Sequence, residues 1–380
     1  MGFGPLGVTM VFAAYVVGTL FALVALGDLS DHVGRRTVLV TAVISTGLFL
    51  AASGIGLLIV ARVVSGAAAG FATGTASAAL AELQPRGDHR AAAVVASDAN
   101  MTGLGLGPLV AGLFAEYVAM PTHSVFWAYL GACALALAAV AVIPETVRDR
   151  DRAVSLRPRL GVQPGMGAVM LGACLGVFAA FSVLGLFSSL VPTFVHGILG
   201  VRNLALVGGA SFLIFVTAAV SQAVSARLPS RRSLGTGLPL LVVCLAALES
   251  ALFARALWLF LVGTVAGGVA VGLIFRGGLS ELNRLAEPQH RAAVVSTFFV
   301  AAYLGLGLPA VLTGLISLRV GPVDASAYVS GLAAAIVVVA FVVARRAFGG
   351  APGPKPPCTP SDSWCRAGSP APRAAQNYPV

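Results

Sequence analysis

Charge is what this sequence has least of. Only 10% of its 380 residues are Asp, Glu, Lys or Arg, where a soluble domain carries about a quarter. The single lysine, Lys355, excludes a Gly-x-x-x-x-Gly-Lys phosphate loop and ATP hydrolysis by that route. His-Glu-x-x-His and Gly-x-Ser-x-Gly are absent as well, so enzymatic chemistry has no foothold. Cysteine is scarce. Cys133, Cys174 and Cys244 lie inside apolar runs, Cys358 and Cys365 lie in a polar tail, and no pair has metal-ligand spacing. No cofactor and no metal is expected. No basic residue precedes Arg35, so the first apolar run lacks the positive start of a signal peptide.

What is abundant is hydrophobicity: 58% of the chain, with a mean hydropathy of +0.94. This composition predicts an all-α integral membrane protein whose solvent is lipid. Apolar runs cover residues 3–26, 37–54, 57–81, 91–118, 124–143, 165–195, 203–226, 236–253, 256–275, 292–318 and 326–347. That makes about eleven spans, each near the ~20 residues a bilayer requires. The net charge of +10 is carried by arginines between these runs, which sets orientation in a membrane and excludes nucleic acid as the partner. Alternate junctions hold Arg35/Arg36, Arg86/Arg90, Arg148 to Arg159, Arg227/Arg231/Arg232, Arg276/Arg284/Arg291 and Arg345/Arg346. The opposite ones hold only Arg202, Arg255 and Arg319. The asymmetry predicts a multi-pass protein of the inner (plasma) membrane with its N-terminus outside and its C-terminus cytoplasmic.

A polar junction divides the chain into an N-terminal bundle (1–147), a cytoplasmic linker (148–164) and a C-terminal bundle (165–348). A Pro-, Gly- and Ser-rich tail (349–380) follows, expected to be disordered and cytoplasmic. The halves repeat. Glu82-Leu83 with His89-Arg90-Ala91-Ala92 matches Glu281-Leu282 with His290-Arg291-Ala292-Ala293. Leu104-Gly105-Leu106-Gly107 then Pro108 matches Leu304-Gly305-Leu306-Gly307 then Pro309. The shared offset of about 200 residues argues for duplication. It gives the first half five spans and the second six, with the counterpart of 165–195 falling before Met1.

Between the first two runs lies Gly27-Asp28-Leu29-Ser30-Asp31-His32-Val33-Gly34-Arg35-Arg36. Such a charge cluster does not sit in hydrocarbon and predicts a short loop at the membrane surface. Gly27, Leu29, Asp31, Gly34, Arg35 and Arg36 resemble the G-x-L-a-D-x-x-G-R-R signature of the major facilitator superfamily. The resemblance covers about residues 3–347. It implies two pseudo-symmetric bundles that alternately open a midplane cavity. In the family, which has twelve helices, this stretch latches the halves on the cytoplasmic side, a role that would fall here to Gly27, Asp28, Asp31, Gly34, Arg35 and Arg36. By that comparison the first helix is lacking.

Gly103, Gly107, Pro108 and Gly112 resemble the family's antiporter signature G-x-x-x-G-P-x-x-G-G, with Ala111 in place of one glycine. Glycines four apart let helices pack closely, and the proline bends the helix. Arg62, followed by Gly66, resembles the family's R-x-x-x-G motif linked to proton coupling; the alternative is an arginine snorkelling to the outer surface. Asp98 lies about 12 Å into its span, where desolvation disfavours the charged form, as proton exchange requires. The alternative is a structural partner for a loop arginine. Glu116 and Glu249 lie nearer the outer ends. Asn100, Thr102, Ser182, Ser188, Ser189 and Gln222 are candidates to line the cavity. The resemblance implies a secondary transporter exporting small, partly hydrophobic compounds in exchange for protons; a monomer without enzymatic activity is expected. An importer of a sugar or organic acid and a non-transporting paralogue are the alternatives.

Overall fold

The computed structural model describes residues 5–25, 27–82, 89–142, 160–191, 203–287 and 290–349. In lipid every backbone N–H and C=O must be satisfied within its own segment, and the described residues form helices accordingly. They are α1 (Pro5–Ala25), α2 (Gly27–Ala51), α3 (Ile55–Glu82), α4 (His89–Tyr117), α5 (Pro121–Val142), α6 (Gly167–Val191), α7 (Leu204–Val224), α8 (Ser230–Ala254), α9 (Leu257–Leu285), α10 (Arg291–Val320) and α11 (Pro322–Gly349). Eight of these contain described windows apolar and long enough to cross a membrane, and α1 and α2 contain shorter ones. Gly321, at φ 88°, ends α10 in a conformation open to glycine, and Pro322 supplies the first residue of α11.

Most boundaries fall within a few residues of the apolar runs. Three do not: α8 begins at Ser230 and takes Arg231 and Arg232 into its first turn, and two larger differences correct the sequence reading. The Gly27–Arg36 stretch is not a loop: α2 begins at Gly27 and runs through it. The stretch has no proline, and acids at its start suit the positive end of a helix. The side chains of Gly27, Asp28, Asp31, Gly34, Arg35 and Arg36 lie outside the described residues.

The second difference is α9, which continues to Leu285 and takes Arg276, Glu281 and Arg284 out of the expected junction. Each charge finds a partner that permits the helix to go on. Arg276 donates from Nη2 to the carbonyls of Ala226 (2.5 Å) and Leu228 (3.1 Å), and from Nη1 to Ser233 Oγ (3.1 Å). Arg284 pairs with the buried Glu281 one turn earlier at 2.5 Å. Arg276 thereby fastens the 3₁₀ turn Ser225–Arg227 that joins α7 to α8.

The architecture is two pseudo-symmetric helical bundles, α1–α5 and α6–α11. The repeated residues fall on matching elements: Glu82 closes α3 as Glu281 lies in the last turns of α9, and Pro108 sits inside α4 as Pro309 sits inside α10. It relates α1–α5 to α7–α11. The second bundle is the denser. Of the α6 span, 72% is buried inside the protein, against 22% for α3 and 6% for α5. Phe275 packs on Phe181, Phe298 and Phe299 with ring centroids 5.6–5.8 Å apart, joining α6, α9 and α10. Large apolar side chains such as Trp127, Leu135 and Phe253 stand exposed on the outside, as lipid contact requires.

Of the linker, residues 148–159 lie outside the described residues, but its end is fixed to the second bundle. Gly161 N donates to Thr297 Oγ1 at 3.2 Å, and Gln163 Oε1 accepts from Glu287 N at 3.0 Å. Of the tail, Gly349 still belongs to α11 and residues 350–380 are outside the described set. The proposed orientation has a direct check in a variant with the five native cysteines replaced by serine. A cysteine at Ala119, between α4 and α5, should react with an impermeant maleimide in intact cells. One at Leu228, between α7 and α8, should react only after permeabilisation. Equal labelling of both in intact cells would contradict the orientation.

Candidate functional site: the seam between the bundles

Two helix pairs join the bundles, α4 with α7 and α1 with α10. The α4/α7 pair is built from small residues at its centre and polar ones at its ends. Gly112 and Gly208 face each other. A Cβ on Gly112 would come within 2.6 Å of Leu204 O and 3.0 Å of Gly208 Cα, and one on Gly208 within 2.5 Å of Pro108 O and 3.2 Å of Gly112 Cα. Backbone therefore touches backbone, which only glycine permits at both positions. Further along, Gly105 rests against Phe215, where a Cβ would lie 2.7 Å from the Phe215 Cβ.

This corrects the sequence reading of α4. Gly103 and Gly107, expected to mediate close packing, are exposed with open space where a side chain would go. The helix uses Gly105 and Gly112, two turns apart, because those positions face α7. Pro108 is inside α4, and its carbonyl lies on the α7 side against Gly208.

At one end of the seam, Ser97 Oγ donates to Gln222 Oε1 at 2.5 Å, crossing from α4 to α7. Gln222 is 2% exposed and its Nε2 has no hydrogen-bond partner. It belongs to the seam instead of a cavity wall. Asp98 follows Ser97, half-buried, with Oδ1 enclosed and without a hydrogen-bond partner. At the other end, Glu116 Oε2 accepts from Leu204 N at 2.8 Å, and Asn203 Nδ2 donates to Tyr117 Oη at 3.2 Å. Asn203 also caps its own helix through Leu206 N. Glu116 thus places a carboxylate at the N-terminus of α7, where the helix dipole favours it. Sequence reasoning missed Ser97 and undervalued Glu116, since nothing in a single sequence pairs a position on α4 with one on α7.

Arg62 stands elsewhere. It is exposed on α3, with its guanidinium 5.3 Å from the Phe49 ring centroid, and Phe49 stacks on Phe126 at 5.0 Å. Arg62 therefore ties α2, α3 and α5, with Tyr15 of α1 within electrostatic reach. Gly66, one turn on, seats α3 against the carbonyl of Tyr15. Arg62 and Asp98 are not brought together. Ser182 and Ser188 donate to carbonyls of their own helix, at Phe178 and Leu184. Glu249 of α8 accepts from Ser330 of α11 at 2.5 Å.

Comparison with known proteins adds three findings. The Major Facilitator Superfamily model matches residues 1–254. A protein of Klebsiella pneumoniae named for multidrug resistance, MdtD, is 31% identical over 121 residues, which is 31% of this chain and 26% of that relative. The Escherichia coli protein of the same name matches with the same identity and coverage, so the match spans about a quarter of these relatives' length. The crystal structure of the human organic anion transporter MFSD10 superposes with a TM-score of 0.62 at 19% identity, covering 90% of this chain and 83% of that one, a likeness of fold. With the family model matching two thirds of its length, this chain belongs to the major facilitator superfamily.

Proposed function

We propose that the protein is a proton-coupled exporter of small, partly hydrophobic compounds, working by alternating access in the inner membrane. The observation that carries the reading is the α4/α7 seam. Its glycine centre allows two rigid bundles to tilt against each other, and its polar ends can open in alternation. Opening the Ser97–Gln222 end exposes the cavity to one side; opening the Glu116–Leu204 end exposes it to the other. Asp98 beside the first of these contacts supplies a carboxyl that can take up and release a proton as the seam opens. Similarity to a multidrug resistance protein and the antiporter-like Gly103–Gly112 stretch support export over uptake.

Inverted membrane vesicles acidified inside by respiration provide the test. A lipophilic fluorescent cation should accumulate in vesicles carrying the protein, and an uncoupler should release it. Equal accumulation in vesicles without the protein would overturn the reading. The cytoplasmic latch has its own check. Asp31→Asn should lower the transport rate severalfold while the protein still inserts at normal levels. An unchanged rate would leave the Gly27–Arg36 stretch as an orientation signal alone.

A further inference from the structure

The first turns of α8 and the last turns of α11 enclose a groove of ≈ 300 Å³, lined by Arg231, Leu234, Gly235 and Leu238 on one wall and by Phe341, Ala344 and Arg345 on the other. On each helix these residues follow the three- and four-residue spacing of a single face. The groove is graded along the membrane normal. Arg231 and Arg345 stand exposed nearer the helix ends, and Leu238, buried, lies about 10 Å deeper than Arg231. Among the described residues no carboxylate lines it. The Arg345 guanidinium lies 4.6 Å from the centroid of the Phe341 ring, which holds a cation at the rim and an apolar surface just below it. Orientation in the membrane asks only for arginines in water near helix ends. It does not ask for an apolar cleft between two of them.

We infer that this groove is a binding site for one anionic phospholipid. Its phosphate would lie at the rim against Arg345, with Arg231 adding to the positive field there, and an acyl chain would run down along Leu238 and Phe341. Charge complementarity selects the anionic headgroup, and the apolar depth selects a lipid over a free anion. The groove is lined by α8 and α11 alone and shares no residue with the α4/α7 seam, and it does not depend on what the protein transports. Gly235 offers a way to fill the groove without disturbing the fold: it is exposed, and a Cβ there would meet no atom within 4 Å.

The whole chain, purified in a neutral detergent, would be mixed with phosphatidylglycerol or with phosphatidylcholine of the same acyl chains. Bound lipid would be counted by native mass spectrometry. Phosphatidylglycerol should be retained about fivefold or more over phosphatidylcholine. Arg345→Gln and Gly235→Leu should each lower its retention about fivefold, the first by removing charge and the second by occupying space. Arg319→Gln removes the same charge from an exposed position outside the groove and should leave retention unchanged. Glycerol 3-phosphate at equal concentration should not displace the lipid. Equal retention of the two lipids would overturn the inference. So would unchanged retention in both groove variants, an Arg319→Gln loss matching that of Arg345→Gln, or displacement by glycerol 3-phosphate, which would mark a soluble-anion site. Thermal unfolding of each variant beside the parent protein keeps misfolding separate; if one variant fails to fold, the other decides.

Discussion

Gly208→Leu is expected to cut transport by at least about tenfold while the protein still reaches the membrane. A leucine there would meet Pro108 O, Gly112 Cα and Leu109 Cα, all of them backbone. No rotamer change relieves such contacts, so α7 must move away from α4. Overpacking of this kind costs about 1–3 kcal/mol, enough to shift the balance between two bundle arrangements by one or two orders of magnitude. The neighbouring residue makes an unusually close control. Gly209 has open space where its side chain would go, so Gly209→Leu should transport at close to the normal rate. Transport rate, the amount of membrane-inserted protein and the thermal midpoint would be measured for both. Equal rates in the two variants would mean that the glycine contact is not where the bundles hinge.

Asp98→Asn is expected to abolish export driven by a pH gradient and to leave substrate binding in place. Asparagine keeps the shape of the side chain and removes only the ability to exchange a proton. The surroundings favour such a role: Oδ1 is enclosed with no hydrogen-bond donor, and the adjacent Ser97 is bonded across the seam to Gln222. Proton release at Asp98 and opening of that end of the seam would then be linked. Ser97→Ala distinguishes coupling from simple loss of the seam. It should weaken the cross-bundle contact and alter the rate, yet retain dependence on the gradient. Full gradient-driven export by Asp98→Asn would remove Asp98 from the mechanism.

The helices were legible in the sequence because lipid leaves the backbone one economical solution, and an apolar run of about twenty residues reports it directly. Legibility failed where charge and helix coincide. Gly27–Arg36 and Arg276–Leu285 read as surface junctions because charges cannot enter hydrocarbon, but both lie in helices, and in α9 the charges find partners at Ala226, Leu228 and Glu281. Facing was the other limit. The glycine spacing of α4 announced close packing, but choosing Gly105 and Gly112 over Gly103 and Gly107 requires knowing where α7 lies. Ser97 and Gln222, 125 residues apart, leave no local trace of their contact. Arg62 drew attention by its R-x-x-x-G pattern, but its guanidinium lies over the Phe49 ring and not beside Asp98.

Reconstituted liposomes carrying a trapped pH-sensitive dye test the coupling itself. Vesicles would be loaded with a lipophilic cation that the protein exports, then diluted into medium lacking it, with no pH gradient imposed at the start. The account predicts that outward movement of the cation drives protons inward, so the lumen acidifies, and that Asp98→Asn vesicles show no acidification. Outward movement with the lumen pH unchanged in vesicles carrying the unaltered protein would contradict proton coupling. Retention of the cation as in protein-free vesicles would contradict transport altogether.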